Sequence, residues 1–219
     1  MIEEDWLQNS EVFSLFPTLV WKIQLPSDVV TTQNPAIINL LKKINPDLGD
    51  IKKAASWQSH QSLHEEADLD QVMFCIDRAA HKVLRFLNIG VADIEVTGCW
   101  ANVLGAGSSH RMHSHPNNYL SGVYYVRAPP GANTINFHDP RPQASIIMPP
   151  VTQLTGQNTD QVVVDVTDGT LLLFPSYMLH SVDANDSHEL RISISFNLMF
   201  SQFSEKLSRP LWQPPTSDA

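Results

Sequence analysis

Three histidines in the second half of the chain have the type and spacing of metal ligands. His113 and His115 occur in the sequence HSHPNN, and His180 ends the sequence TLLLFPSYMLH. Side chains two residues apart on an extended segment point to the same side, so a third imidazole from a distant strand would complete a facial triad with the first two. A facial triad leaves coordination positions open, which is typical of a catalytic rather than a structural metal site.

A strand predicted after the last of these histidines carries a row of polar side chains. In RISISFNLMF, one face holds Arg191, Ser193, Ser195 and Asn197, and the other holds Ile192, Ile194, Phe196 and Leu198. This alternation predicts a polar lumen backed by an apolar exterior. The Arg191 guanidinium and the Ser193 hydroxyl together offer a bidentate fork and a further donor to one carboxylate. Tyr125, on another predicted strand, is placed to reach the same carboxylate, although a purely structural role in the core is an equal alternative.

The other histidines do not share this phase. His110 is out of phase with His113, so we expect it in a solvated loop. Five more are scattered and are interpreted as surface or core residues: His60, His64, His81, His138 and His188. For the three selected histidines, the alternatives are ordinary loop positions for the first two and a strand-end cap for His180.

The elements that must position these residues change character along the chain. The first part predicts a strand over residues 16–25, a helix with Asn34 as N-cap and Pro35 as its first residue, and a second helix from Asp68 to Gly90. From Ile94 onward, short apolar runs alternate with clusters of Gly, Pro, Asn and Asp. The predicted strands cover residues 94–103, 119–126, 134–137, 145–148, 161–166, 170–174 and 190–200.

This order of elements predicts an α+β fold. Strands of this number and length, with ligands on non-adjacent strands, fit a double-stranded β-helix, the jelly-roll barrel, braced by the N-terminal helices. We expect a single domain with an N-terminal strand and supporting helices over residues 1–92, a jelly-roll core over 93–203 and a C-terminal tail over 204–219.

Composition excludes several classes of protein. The chain has 219 residues, 42% of them hydrophobic, with a net charge of -9 and only 14 Lys and Arg, so a nucleic-acid partner is not expected. Cys75 and Cys99 are too few and too widely spaced for a disulfide scaffold, which favours a reduced intracellular protein. Because no stretch approaches the roughly 20 apolar residues of a membrane span, we expect a soluble, cytoplasmic protein.

Taken together, these residues resemble the iron(II)- and 2-oxoglutarate-dependent oxygenases. The resemblance is closest to the prolyl-hydroxylase-like branch, and to bacterial and phage members with H-x-H-P followed by LSGVYYV. It implies Fe(II) ligation by His113, His115 and His180. It also implies that 2-oxoglutarate is anchored by Arg191, with Ser193 and Tyr125 beside it. The implied reaction is hydroxylation of a C–H bond in a peptidyl residue such as proline, or in a small molecule.

The resemblance departs from the usual pattern at one metal ligand. The usual pattern is His-x-Asp/Glu, whereas this chain has His115 at the carboxylate position, a feature that the closer family shares. A neutral third ligand leaves the full charge of the metal uncompensated, which favours an anionic chelator and changes metal preference and reactivity. Asp139, in the loop FHDPRP, is a less favoured substitute carboxylate.

Two alternative functions and the substrate-binding residues complete the expectations. The spacing of Gly107 to His113 and of Gly169 to His180 matches cupin motifs in part, which would indicate a metal dioxygenase or isomerase that does not use 2-oxoglutarate. A degenerate metal-binding module is the second alternative, and Arg191-x-Ser193 favours 2-oxoglutarate over both.

The predicted rim of the site consists of Trp57, Trp100, Asn102, His138, Asp139 and Arg141. Of these, Trp100, Asn102, Asp139 and Arg141 are predicted to bind substrate.

Overall fold

A computed structural model describes residues 11–90 and 93–201. The helices are α1 (Ser27–Ile44) and α2 (Asp70–Phe86). The strands are β1 (Trp21–Gln24), β2 (Ser56–Gln58), β3 (Ile94–Leu104), β4 (His110–His113), β5 (Leu120–Arg127), β6 (Thr134–His138), β7 (Gln161–Asp165), β8 (Thr170–Pro175), β9 (His180–Val182) and β10 (Arg191–Phe200). Short 3-10 turns occur at Pro46–Asp50, Leu63–Glu65, Ala67–Leu69 and Pro142–Ser145. None of the helices in these ranges is long and apolar enough to cross a membrane.

The strands form two antiparallel sheets. The larger sheet has the order β1-β8-β5-β10-β3-β2 and the smaller has the order β4-β9-β6-β7. Side chains of both sheets share one buried cluster, in which Tyr125 and Phe174 of the larger sheet lie with Ile135 and Phe137 of the smaller one. Two facing antiparallel sheets with helices on one of them confirm the predicted α+β class and the jelly-roll barrel.

The helices cover the outer face of the larger sheet. Ile194 and Phe196 of β10 are fully buried in one apolar cluster with Ile37 of α1 and Ile76 of α2. The apolar exterior predicted for this strand is therefore the surface against which the helices pack. Packing within this sheet is tight at Gly122 of β5, where an added Cβ would lie 2.2 Å from the Phe196 ring, so only glycine fits.

The first helix begins earlier than the sequence predicts. Its N-cap is Pro26, so the predicted N-cap Asn34 and the predicted first residue Pro35 both lie inside it. The Asn34 amide donates to the Val126 carbonyl oxygen at 2.8 Å, and the Tyr124 hydroxyl donates to the Asn34 side-chain oxygen at 2.6 Å. Proline removes only one hydrogen bond from the helix, and these buried contacts with β5 hold the helix together across the interruption. The second helix is close to its predicted bounds, except that Asp68 lies in the preceding 3-10 turn.

The strand predicted over residues 145–148 is wrong. The segment follows the 3-10 turn Pro142–Ser145 and pairs with no described strand, and Ile146 and Ile147 are 77% and 81% exposed. Prolines at positions 142, 149 and 150 lack the N–H groups that a ladder requires, which explains why an apolar run does not become a strand here. The predicted tail over 204–219 lies outside the described residues, so its expected conformation stays a prediction.

Candidate active site

The three predicted ligands lie together at one end of the smaller sheet. His113 of β4 and His180 of β9 are directly opposite each other in the ladder, and His115 follows β4 by two residues. Their potential ligand nitrogens all lie within 4.8 Å of one another. The ring centroids of His113 and His180 are 4.4 Å apart, and the His115 ring is 5.1 Å and 5.2 Å from these two. This cluster is compact enough for all three imidazoles to bind a single metal ion.

Backbone contacts orient two of these imidazoles. The Nδ1 atom of His180 is 2.9 Å from the Met178 carbonyl oxygen. The Nδ1 atom of His113 is 2.7 Å from the Arg111 carbonyl oxygen. Because a carbonyl oxygen only accepts, each Nδ1 carries the proton and each Nε2 keeps its lone pair free, as metal-binding histidines require. His115 is held by its backbone N–H, which donates to the Ser176 carbonyl oxygen at 2.9 Å, and its ring centroid lies 5.7 Å from that of Trp100.

Burial keeps the rings of His115 and His180 neutral at physiological pH. It lowers the pKa of His115 to about 4, with a smaller contribution from His113. Burial also lowers the pKa of His180 to about 4, aided by the neighbouring histidines and opposed by the bond to Met178. A metal ion therefore displaces no proton from these two ligands near pH 7.

No carboxylate within the described ranges joins the cluster. Asp139, the substitute ligand considered from the sequence, is engaged by Arg141: its two oxygens accept from the Arg141 Nε and Nη2 atoms at 2.9 Å and 2.8 Å. This bidentate contact also lowers the pKa of Asp139. The geometry therefore matches the predicted donor set of three histidines.

A cavity of about 390 Å³ extends from the histidine cluster between the two sheets. As the alternation predicts, Arg191, Ser193 and Ser195 face this cavity while the alternate residues of β10 face the helices. Asn197 continues the same face but does not line the cavity, and accepts a hydrogen bond from the Ser121 hydroxyl at 2.7 Å. The full lining consists of Gln58, Trp100, Asn102, Ser109, His110, Arg111, His113, His115, Val123, Tyr125, Ile135, His180, Val182, Arg191, Ser193 and Ser195.

Arg191 is a buried cation without an anionic partner. It is 2% exposed, and no carboxylate in the described part of the chain lies within salt-bridge distance of it. Its Nε donates to the Ala132 carbonyl oxygen at 3.0 Å, and its guanidinium carbon lies 5.0 Å from the centroid of the Tyr125 ring. Burial lowers the pKa of Arg191, although an arginine stays charged in proteins. A buried unpaired charge is costly, so the site is suited to an anionic ligand.

Tyr125 lies beside this guanidinium in the same cavity. Its hydroxyl is fully buried, and among the described residues it has no hydrogen-bond partner of normal geometry. Burial raises the pKa of Tyr125, and the neighbouring Arg191 charge offsets part of that rise. The hydroxyl is therefore a protonated donor that is available to a ligand.

The predicted rim residues divide into two groups. Trp100 and Asn102 line the cavity, and the Asn102 amide donates to the Ser195 hydroxyl at 2.9 Å. Asp139, Arg141, Trp57 and His138 lie outside the lining. His138 instead contacts the Ser181 hydroxyl through Nε2 at 2.9 Å, and Trp57 packs against the main apolar cluster.

Sequence reasoning misplaced His110. The predicted solvated loop is wrong, because His110 belongs to β4, opposite Val182, and its half-buried side chain lines the cavity. The ladder is irregular between His110 and His113, which brings residues three apart onto one side of the strand. Gln58, Ser109 and Arg111 also line the cavity. The sequence does not predict this, because none of the three belongs to a recognisable sequence motif.

Comparison with known proteins agrees with this geometry. Residues 98–197 match the family described as "Putative 2OG-Fe(II) oxygenase". This match confirms the resemblance predicted from the sequence, together with the enzyme class and the cofactors Fe(II) and 2-oxoglutarate that define it. No curated protein matches the chain.

Solved structures of low sequence identity share the fold. The α-ketoglutarate-dependent carbocyclase SnoK from nogalamycin biosynthesis is 16% identical, with a TM-score of 0.60 and 90% of each chain covered. A Pseudomonas putida prolyl-4-hydroxylase is 15% identical, with a TM-score of 0.56 and coverage of 84% of this chain and 93% of that one. HygX from Streptomyces hygroscopicus, with nickel, 2-oxoglutarate and hygromycin B bound, is 10% identical, with a TM-score of 0.55 and 84% of each chain covered.

Proposed function

We propose that this chain holds Fe(II) with His113, His115 and His180 and uses 2-oxoglutarate and oxygen to hydroxylate a C–H bond of a peptidyl or small-molecule substrate. The observation that carries the proposal is Arg191, a buried cation without a carboxylate partner in the cavity that the three histidines border. A dianionic cosubstrate would chelate the metal at one end and neutralise the guanidinium at the other.

The residues of the cavity have separate roles in this reaction. The three imidazoles would hold the metal with one nitrogen each and leave coordination positions open for ligands. Arg191 pairs with the distal carboxylate, and the hydroxyls of Tyr125 and Ser193 donate to the same group. When bound, Fe(II) and 2-oxoglutarate supply the oxidising chemistry, in which the cosubstrate is converted to succinate and carbon dioxide.

Apolar side chains give the cavity its remaining wall. Val123 of β5 and Ile135 of β6 line the cavity from the two sheets and are almost fully buried. They exclude water from the space between the anchor and the metal, which strengthens the charge pairing at Arg191.

The rim of the cavity suits either class of substrate. Trp100 provides an aromatic surface beside His115, and Asn102 provides an amide that is held in place by Ser195. The structures with the same fold include both a prolyl-4-hydroxylase and a carbocyclase of nogalamycin biosynthesis. We therefore retain both a peptidyl substrate, such as a prolyl residue, and a small molecule, and we retain the predicted contribution of Asp139 and Arg141 to substrate binding. The cytoplasmic location stays a prediction from composition.

One observation favours a second candidate. The third ligand, His115, is neutral, and no Asp or Glu is among the lining residues, so the metal keeps its full charge before an anion binds. This donor set also suits a cupin-type metal dioxygenase or isomerase that does not use 2-oxoglutarate, or a module that binds metal without turnover. In a cupin-type enzyme, Arg191 would bind a substrate anion.

An anaerobic titration distinguishes these functions. Purified apoprotein is loaded with one equivalent of Fe(II), and 2-oxoglutarate is added while the visible absorption is recorded. We expect a weak charge-transfer band that saturates with 2-oxoglutarate. When air is then admitted together with ascorbate, which reduces the second oxygen atom in place of a substrate, we expect succinate to form. A band without succinate would indicate a binding module, and the absence of both would favour the cupin-type alternative.

A further inference from the structure

Donors from both sheets line the cavity that contains Arg191. Arg191 and Ser193 come from β10 and Tyr125 comes from β5, so all three belong to the larger sheet. His110 comes from β4, at the edge of the smaller sheet, and lines the same cavity. A ligand between the sheets would therefore meet His110 on the side away from the guanidinium.

His110 lines the same cavity as Arg191 and lies outside the group of three histidines that could share a metal ion. Its ring centroid lies 6.5 Å from that of His113, and it does not belong to the group of nitrogens that could share an ion. Burial lowers its pKa to about 4, and the Arg191 charge is near enough to add to this effect. Within the described part of the chain, its ring nitrogens have no hydrogen-bond partner, although the neighbouring histidines His113 and His180 each have one.

The chemistry of the cavity identifies the class of ligand that would engage His110. No Asp or Glu is among the lining residues, so a bound anion would be the acceptor for these donors. A carboxylate has two oxygens with about four acceptor positions. The Arg191 guanidinium already donates to the carbonyl oxygens of Ala132 and Thr134. One further donor from Arg191 and one each from Tyr125 and Ser193 would take three of the four positions on a bound carboxylate, which leaves one for a donor from the smaller sheet.

We propose that His110 donates a hydrogen bond to the distal carboxylate of 2-oxoglutarate from the smaller sheet and so completes a clamp with Arg191. The inference rests on the proposed function, because it assigns a further contact to the same cosubstrate. An imidazole carries at least one N–H donor in either protonation state, so the contact does not depend on its titration. The clamp makes His110 a residue that selects a keto acid with a second carboxylate.

Calorimetry on manganese-loaded protein tests this contact without turnover. Wild type, His110→Ala and His110→Gln are titrated with 2-oxoglutarate and with 2-oxopentanoate, which has the same chelating end but a methyl group in place of the distal carboxylate. The matched control is His188→Ala, because His188 is an exposed histidine outside the cavity. We expect His110→Ala to weaken 2-oxoglutarate binding about tenfold, which is the loss of one hydrogen bond to a charged group. Binding of 2-oxopentanoate should not change.

The remaining outcomes separate this inference from the proposed function. Retention of most of the affinity by His110→Gln, which keeps an N–H donor, would support the hydrogen bond. Equal 2-oxoglutarate affinity in wild type and His110→Ala would overturn the clamp and leave the proposed function intact. Equal weakening of both keto acids, or loss of manganese, would also overturn it, since either result assigns His110 to the metal centre. Absence of 2-oxoglutarate binding by the wild type would overturn both.

Discussion

The two sheets of the barrel differ in how firmly they are held and in what they contribute to the site. The larger sheet is covered by α1 and α2, and its central strand β10, paired on both sides, carries the buried Arg191. The smaller sheet carries His113 and His180 on short strands, and on its strand β7 Val162 and Val163 are 45% and 54% exposed. The proposed cosubstrate anchor thus lies in the sheet that the helices cover, whereas the proposed ligands His113 and His180 are oriented by hydrogen bonds to nearby backbone carbonyls. Changes on the smaller sheet should affect binding more than folding.

The largest effect is expected at the metal ligands. Replacing His113, His115 or His180 singly with Ala should abolish stoichiometric Fe(II) binding, because each removes one of only three donors. Binding is measured by titration of the apoprotein, with His110→Ala as a nearly silent control for iron. The three-histidine assignment would be wrong if His115→Ala kept full iron affinity while Asp139→Ala lost it.

The next effect is expected at the anchor on the larger sheet. Arg191→Met should weaken 2-oxoglutarate binding by upwards of a hundredfold, since loss of a buried charge pair costs roughly 3–5 kcal/mol. Iron binding should be nearly intact, because the guanidinium contacts none of the three histidines. Calorimetry on the manganese-loaded variant measures the change. Equal affinity for 2-oxoglutarate in variant and wild type would remove Arg191 from the site and promote the cupin-type alternative.

The contrast between the sheets also predicts different costs in stability. Phe196→Ala, on the helix-covered face of β10, should lower the free energy of unfolding by about 3–5 kcal/mol, because it empties a fully buried position. Val163→Ala, at a half-exposed position of β7, should change it by less than about 1 kcal/mol. Urea denaturation of both variants gives the two values, and similar losses would show that the sheets are equally well packed.

A smaller loss of stability than that of Phe196→Ala is expected where α1 meets β5. Tyr124→Phe removes the hydroxyl that donates to the Asn34 side chain and should destabilise the protein by about 1–2 kcal/mol, because a buried acceptor is left unpaired. Iron and 2-oxoglutarate affinities should match wild type, since Tyr124 faces the helices. A loss of 2-oxoglutarate affinity in this variant would show that the outer layer also controls the cavity.

Local patterns in the sequence were sufficient for much of the fold and for the composition of the site. The alternation along β10 separated Arg191 and Ser193 from Ile194 and Phe196, and the structure places these two sets on opposite faces of the sheet. The spacing of His113 and His115 predicted that they would lie together, as they do. Such predictions succeed because the direction of a side chain on a regular strand depends only on its own position.

Only the tertiary structure decided the features that depend on partners far along the chain. The irregular pairing of β4 with β9 turns His110 into the cavity, and the contacts of Asn34 with β5 place it inside a helix that it was expected to start. The sequence allows Asp139 as a ligand, but in the structure Arg141 engages it outside the cavity. Periodicity carries no information about which residues lie across a sheet, because those neighbours come from distant strands. The residue types and their phase therefore followed from the sequence, whereas the shape of the cavity followed from the packing of one sheet on the other.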